Sequence, residues 1–248
     1  MDTIKKVVIN RNGKKFFVRD MGEDLHTQFG FISKNQLQSA LPGDLLTSNT
    51  NEEFFIFEPS FIDLYKKIKR DAQIIPMKDI GIIISEAGIS KESRILDAGS
   101  GSGALACFLA SIAREVVTYE IRDDFIEIVK SNIDFLGLNN VIVKHRDVYQ
   151  DADDKDFDVV TLDVPEPWKA IPAIAKALKP GGFVASYSPS VPQVADFVNA
   201  LRKNQDFVYL KTVELIERQW EIDERKVRPK SQGLGHSGFL SFARKVAA

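Results

Sequence analysis

The 248-residue chain has a single cysteine, Cys107, and only three histidines, His26, His145 and His236. One thiol excludes an intrachain disulfide and any cysteine-based metal cluster. Histidines so far apart have no ligand spacing, so no metal is expected, and each is read as a structural hydrogen-bonder. No apolar run reaches the ~18 residues of a membrane span. Lys5, Lys6, Arg11 and Lys14 have no apolar stretch behind them, which argues against a signal peptide. The expected setting is therefore the cytoplasm, with no membrane partner. What the chain has in quantity is apolar side chain: 44% is hydrophobic, enough to fill the core of one large domain or of a large and a small one.

Net charge is -2, so a uniformly basic surface is excluded. The distribution is uneven. Residues 1–20 carry Lys5, Lys6, Arg11, Lys14, Lys15 and Arg19 against Asp2 and Asp20. From Arg225 onward come Arg225, Lys226, Arg228, Lys230, Arg244 and Lys245 with no acid, while Asp147 to Asp158 is acidic. Basic ends on an acidic body fit phosphate-contacting patches. From charge alone, ordinary solvated surface is the commoner reading of such a pattern.

The hydrophobic pattern predicts a small β-rich unit over 1–58 and a second domain over 59–248. Val7-Val8-Ile9 and Phe16-Phe17-Val18 flank Asn12-Gly13, a hairpin signal. Pro42-Gly43 marks another turn, and Phe54 to Phe57 a short strand. Ser60 is placed to cap a helix running to about Arg70. A helix over Ile80 to Ala87 stops at Gly88. Strands are then expected at 93–98, 115–120, 141–145, 157–163 and 182–188, alternating with helices at 103–113, 123–136, 169–178 and 192–204. Such alternation gives an α/β, doubly wound, mostly parallel sheet. Two further strand-like stretches, 207–217 and 237–245, close it to seven strands with an antiparallel pair.

Four segments carry chemistry. Arg94-Ile-Leu-Asp97-Ala-Gly99-Ser-Gly101-Ser-Gly103 runs from a strand through a glycine-rich turn into a helix. There the backbone can turn tightly and approach a ligand closely, and helix-start N–H groups face the crevice. Glu120 closes the next strand, where one carboxylate can take both hydroxyls of a ribose. Together they indicate a nucleoside-containing cofactor. The order is Asp-x-Gly-x-Gly-x-Gly; its acid would repel a pyrophosphate but suits a cationic sulfonium and its amino group. Asp147-Val148 follows the third strand and suits an adenine amino group. Leu162-Asp163-Val-Pro165-Glu166-Pro167-Trp168 puts a carboxylate at the carboxyl edge of the sheet. Trp168 either packs against a base or covers a helix start. Cys107 reads as a small core residue.

With Tyr119-Glu120-Ile-Arg122 these segments resemble the tRNA (adenine-N1)-methyltransferase family in its archaeal and bacterial form. The resemblance extends to Gln73-Ile-Ile-Pro-Met-Lys78-Asp79, His26-Thr27 with Gly30, and Arg228-Pro229 followed by Gly235-His236-Ser-Gly238-Phe239-Leu240. It implies a class I methyltransferase, Rossmann-like fold with a small N-terminal β domain, usually a homotetramer. It implies methylation at T-loop position 58, and in some archaea at 57 as well. S-adenosylmethionine would be held by Gly99, Gly101, Ser102, Gly103, Ala104, Glu120, Asp147, Val148 and Asp163, with Asp163 as the catalytic residue and tRNA as partner. One departure stands out: many members have Tyr-Pro-Lys-Asp where this chain has Pro76-Met77-Lys78-Asp79. The competing readings are a small-molecule or protein methyltransferase, a non-catalytic tRNA-binding subunit, and a nicotinamide oxidoreductase, for which no hydride-site residue is found.

Overall fold

The computed structural model describes residues 3–71, 73–152, 154–223, 225–231, 233 and 235–247. The chain divides into two compact units, 1–68 and 69–248.

In the first unit, β1 (Lys6–Asn10) and β2 (Lys15–Val18) form the expected hairpin. Gly13 sits in its turn at φ 77°, a conformation glycine adopts without strain. β3 (Leu25–Thr27), β4 (Gly30–Ile32) and α1 (Lys34–Ser39) follow, none of them read from the sequence. β5 (Leu45–Thr47) and β6 (Glu53–Phe57) complete an antiparallel sheet of order β2-β1-β6-β5. Its core is Val8, Val18, Ile32, Leu37, Leu46, Phe54 and Ile56. The sequence predicts a helix after Ser60 that belongs to the second domain and runs to about Arg70. Here α2 spans only Phe61–Tyr65 and lies in the first unit. Asp63 ties it there: it accepts from the Ser60 N–H (3.1 Å) and hydroxyl (2.6 Å) and from Lys15 of β2 (2.6 Å).

The second unit contains α3 (Met77–Glu86), β7 (Arg94–Ala98), α4 (Ala104–Ala110), β8 (Glu115–Glu120), α5 (Asp123–Leu136) and β9 (Val141–His145). β10 (Phe157–Leu162), α6 (Ile171–Ala177), β11 (Leu178–Ser188) and α7 (Val191–Lys203) follow. Last come β12 (Phe207–Glu214), β13 (Trp220–Asp223), β14 (Lys226–Pro229) and β15 (Phe239–Lys245). The helices form where the sequence supplies both ends. α5 opens on Asp123-Asp124, which suit the positive end of the helix dipole, and closes at Gly137 with φ 66°. α7 has a proline in its first turn and Arg202-Lys203 in its last.

Seven strands form one sheet in the order β12-β15-β11-β10-β7-β8-β9. β7 to β11 pair parallel, and β15 inserts antiparallel between β11 and β12. This is the expected α/β architecture with its antiparallel closing pair. Leu96, Val117, Val160 and Val184 of the sheet pack with Ile171, Ile174, Phe197 and Leu201 of α6 and α7. Cys107 is buried against Val129 and Ile133, as a small core residue. Strand order reverses between β7 and β10, and a doubly wound sheet opens its ligand crevice at the carboxyl ends of such a pair. The β13–β14 hairpin, missed in the sequence, lies outside the main sheet.

Candidate active site

The chain leaves β7 through Gly99 (φ 90°), Gly101 (φ 50°) and Gly103 (φ 73°). A Cβ on Gly99 would overlap the carbonyl oxygen of Asp163, so glycine here lets the turn lie against the end of β10. A Cβ on Gly103 would press into Val129, so that glycine serves the packing of α4 on α5. Glu120, buried at the end of β8, accepts from the Gly101 N–H at 2.9 Å. Its other oxygen accepts from the N–H groups of Ile121 (2.8 Å) and Arg122 (3.0 Å). One carboxylate thus fixes two loops, and Oε2, which takes a single bond, keeps acceptor capacity for a ligand hydroxyl.

These loops open on a cavity of about 300 Å³ lined by Gly99, Gly101, Glu120, Asp147, Val148 and Asp163. A smaller neighbouring pocket of about 20 Å³ is lined by Gly99, Gly101, Ser102, Ala104 and Asp163. Of the residues expected at a cofactor, only Gly103 lines neither. Sequence reasoning missed Ile121, Phe125, Arg146 and Tyr149, which also face the larger cavity, and Gln73, which faces both. Ile121 is 60% exposed, an apolar side chain beside Glu120 with its surface open. Tyr149 accepts the Glu166 N–H at 2.9 Å and so braces the segment after Asp163.

Asp97 departs from the expectation that it would face a sulfonium. It is buried beneath the turn, and its two oxygens accept from the hydroxyls of Thr118 and Thr161, each at 2.7 Å. It acts on the site through its field instead. Burial, and then the neighbouring Asp97 charge, push the Asp163 carboxyl up to about 7. Asp163 has no hydrogen bond to its carboxylate among the described residues, while its backbone N–H is fixed to the Ala98 carbonyl at 2.9 Å. It is therefore an acid–base group near its midpoint at neutral pH, rigidly mounted and facing a cavity.

Trp168 is partly buried and packs against the main core, as a cover for the helix start would. Many of the basic residues at the ends are paired: Lys6 with Glu58, Arg11 with Glu53, and both Lys226 and Arg228 with Glu221. That reduces, without removing, the positive surface read from the sequence.

A mostly parallel sheet with one inserted antiparallel strand, a glycine turn fixed to an acid on the next strand, and a half-buried aspartate, Asp163, at the reversal point define a class I S-adenosylmethionine-dependent methyltransferase. The comparisons carry this to a family. Residues 63–237 match the family described as tRNA methyltransferase complex GCD14 subunit, and the chain belongs to it. It is 32% identical to the tRNA (adenine(57)-N(1)/adenine(58)-N(1))-methyltransferase TrmI of Methanocaldococcus jannaschii, over 96% of this chain and 94% of that one. It is 30% identical to the tRNA (adenine(58)-N(1))-methyltransferase TrmI of Thermus thermophilus, over 96% of each. Among solved structures it resembles TrmI of Aquifex aeolicus (TM-score 0.83, 26% identity, 98% of this chain and 97% of that one). It also resembles a Thermotoga maritima protein described as an S-adenosylmethionine-dependent O-methyltransferase (TM-score 0.88, 30% identity, 100% and 95%).

Proposed function

We propose that this protein is an S-adenosylmethionine-dependent tRNA methyltransferase that forms N1-methyladenosine in the T-loop, at position 58. The observation that carries the reading is likeness along nearly the whole length of both chains to enzymes named for that reaction, with Asp163 at the cavity where an acceptor must arrive. The donor set suits the cofactor: Glu120 for ribose hydroxyls, Asp147 for the adenine amine, Val148 and Ile121 for the apolar faces of its ring. The turn at Gly99, Gly101, Ser102 and Gly103, leading into Ala104, brings bare backbone to its amino-acid end. The bound cofactor supplies an electrophilic methyl group on a sulfonium.

Adenine N1 is a weak nucleophile, so alignment is the chief need and can supply several kcal/mol. Transfer to N1 would break the methyl–sulfur bond, leave the neutral thioether S-adenosylhomocysteine, and spread positive charge into the adenine ring, which would acidify its exocyclic amine. Asp163 accepts that N–H and offsets the charge. The target base must leave its stack in the tRNA elbow, at a cost of a few kcal/mol. Basic side chains of the β13–β14 region, Arg225, Lys226, Arg228 and Lys230, contribute phosphate contacts that offset it. The same hairpin exposes Trp220, Ile222 and Val227, an apolar surface that fits self-association into a homotetramer. The cytoplasm is the setting that this substrate implies.

The test is transfer of label from S-adenosylmethionine to an unmodified tRNA transcript, followed by nucleoside analysis. N1-methyladenosine is the expected product. Label in a ribose O-methyl group, or cofactor binding with no label in any tRNA, would overturn the reading.

A further inference from the structure

Two short motifs outside the cofactor cavity, Lys78-Asp79 in the first turn of α3 and His236-Ser237-Gly238 before β15, meet in the fold. The Lys78 ammonium donates to both Asp79 oxygens (2.8 and 2.9 Å), to the Leu215 carbonyl (2.8 Å) and to Ser237 Oγ (2.6 Å). The Ser237 hydroxyl donates to Asp79 at 2.7 Å. One nearly buried cation thus ties α3 to the residue after β12 and to the 236–238 turn.

His236 holds the same turn on its other side. Its Nδ1 lies 2.6 Å from Glu214 Oε1 and its Nε2 3.0 Å from the Pro189 carbonyl. Both partners only accept, so both bonds form together only when the ring carries two protons. The Glu214 carboxylate, then the Pro189 carbonyl, raise the pKa of the imidazole, and Lys78 works against them. Among the described residues, Glu214 and Lys78 are the charged groups that act on it, and the Phe239 ring lies beside it, 5.0 Å between centroids.

The turn positions Tyr187 of β11. The phenol donates to the Ser237 carbonyl, and Gly238 lies so close to the ring that a Cβ there would overlap it. Leu162 of β10 and Ser186 of β11 are register partners in the parallel sheet, so Tyr187 stands at the position next to Asp163. Burial, against the Ser237 hydrogen bond and with the charges of Asp79 and Asp163, pushes the phenol up to about 12. None of these residues lines the cavity assigned to the cofactor.

We propose that Lys78 and His236 are positioning residues: a two-cation clasp that fixes the 236–238 turn and Tyr187 beside Asp163 on the acceptor side of the active site. The inference rests on the methyltransferase reading. It explains why Lys78-Asp79 and His236-Ser237-Gly238, 158 residues apart at Asp79 and Ser237, belong to one device.

The test combines kinetics with nitrogen-15 NMR of the histidine ring, using full-length protein. At pH 7 the His236 ring should show both nitrogens protonated; a neutral ring would overturn the clasp whatever the substrate. Lys78→Met with Asp79→Leu removes a buried charge pair together, which protects folding better than either change alone. It should lower kcat on tRNA at least about 10-fold with cofactor Kd within about 2-fold of wild type. His236→Gln, at a half-exposed position, should abolish an alkaline limb of the wild-type kcat profile. A kcat within about 2-fold of wild type in both variants, or cofactor affinity falling in step with kcat, would overturn the proposal. Wild-type protein that binds cofactor yet methylates no tRNA would instead sink the functional reading.

Discussion

Replacing Asp163 by Asn probes the site at its centre. The substitution keeps the shape, the Asp163 N–H bond to Ala98 and the close approach of its carbonyl to Gly99. It removes the Asp163 charge from the cavity wall. A positioned base is worth about 10²–10⁴ in rate, so turnover should fall at least ~100-fold, about 2.7 kcal/mol of transition-state stabilisation. Cofactor affinity, read by calorimetry, should stay within a few-fold. Stability should move the other way. The Asp163 carboxyl is raised from 3.8 to about 7 in the fold. A raised pKa means its favourable contribution is complete below pH ~4 and is lost as pH rises to about 7. At pH 8 the ionised side chain therefore destabilises the protein, by up to about 4 kcal/mol at roughly 1.4 kcal/mol per unit. Asp163→Asn should melt higher than wild type at pH 8 and show little difference at pH 4. Near-normal turnover, or a lower melting temperature at pH 8, would refute the reasoning.

Other outcomes follow from the same geometry. The kcat/KM for S-adenosylmethionine, which reports the free enzyme, should rise with pH through about 7 as Asp163 loses its proton, and the limb should vanish in Asp163→Asn. Gly99→Ala sets a Cβ against the Asp163 carbonyl at a φ of 90°, so it should cost more than about 2 kcal/mol in denaturant melts and abolish cofactor binding. Glu120→Gln weakens charge-assisted bonds worth about 1.5–3 kcal/mol each, and calorimetry should show cofactor affinity at least about 10-fold lower. Charge reversal of Arg225, Lys226, Arg228 and Lys230 together should weaken tRNA binding and flatten its salt dependence. An unchanged slope would return these residues to ordinary solvated surface, consistent with the pairing of Lys226 and Arg228 to Glu221.

The sheet was legible because its signals are local. Strands such as Glu115–Glu120 carry β-branched and aromatic residues, Val116 to Tyr119, between polar ends, and α5 carries an acidic start, a periodic face and Gly137 at its end. The glycine turn, Glu120, Asp147 and Asp163 were legible because each ends a strand on one edge. What stayed hidden depends on contacts far apart in sequence. Asp97 reads as a ligand-facing acid, yet Thr118 and Thr161 claim both its oxygens from neighbouring strands. The short α2 reads as the start of a longer helix until Lys15 of β2 is seen on Asp63. The β13–β14 hairpin has exposed apolar residues on a polar background and so gives no buried-strand pattern. Lys78 and Ser237, 159 residues apart, reveal their link only in three dimensions.

The central claim is a claim about one atom of one base, and mapping the methyl group tests it most directly. An unmodified tRNA transcript would be methylated with purified protein, cleaved with a base-specific ribonuclease and mapped by mass spectrometry. The account predicts one added methyl on N1 of adenine 58, absent when that adenine is replaced; a second at adenine 57 would extend the same chemistry. A methyl on oxygen, on another base, or on no tRNA at all would contradict it.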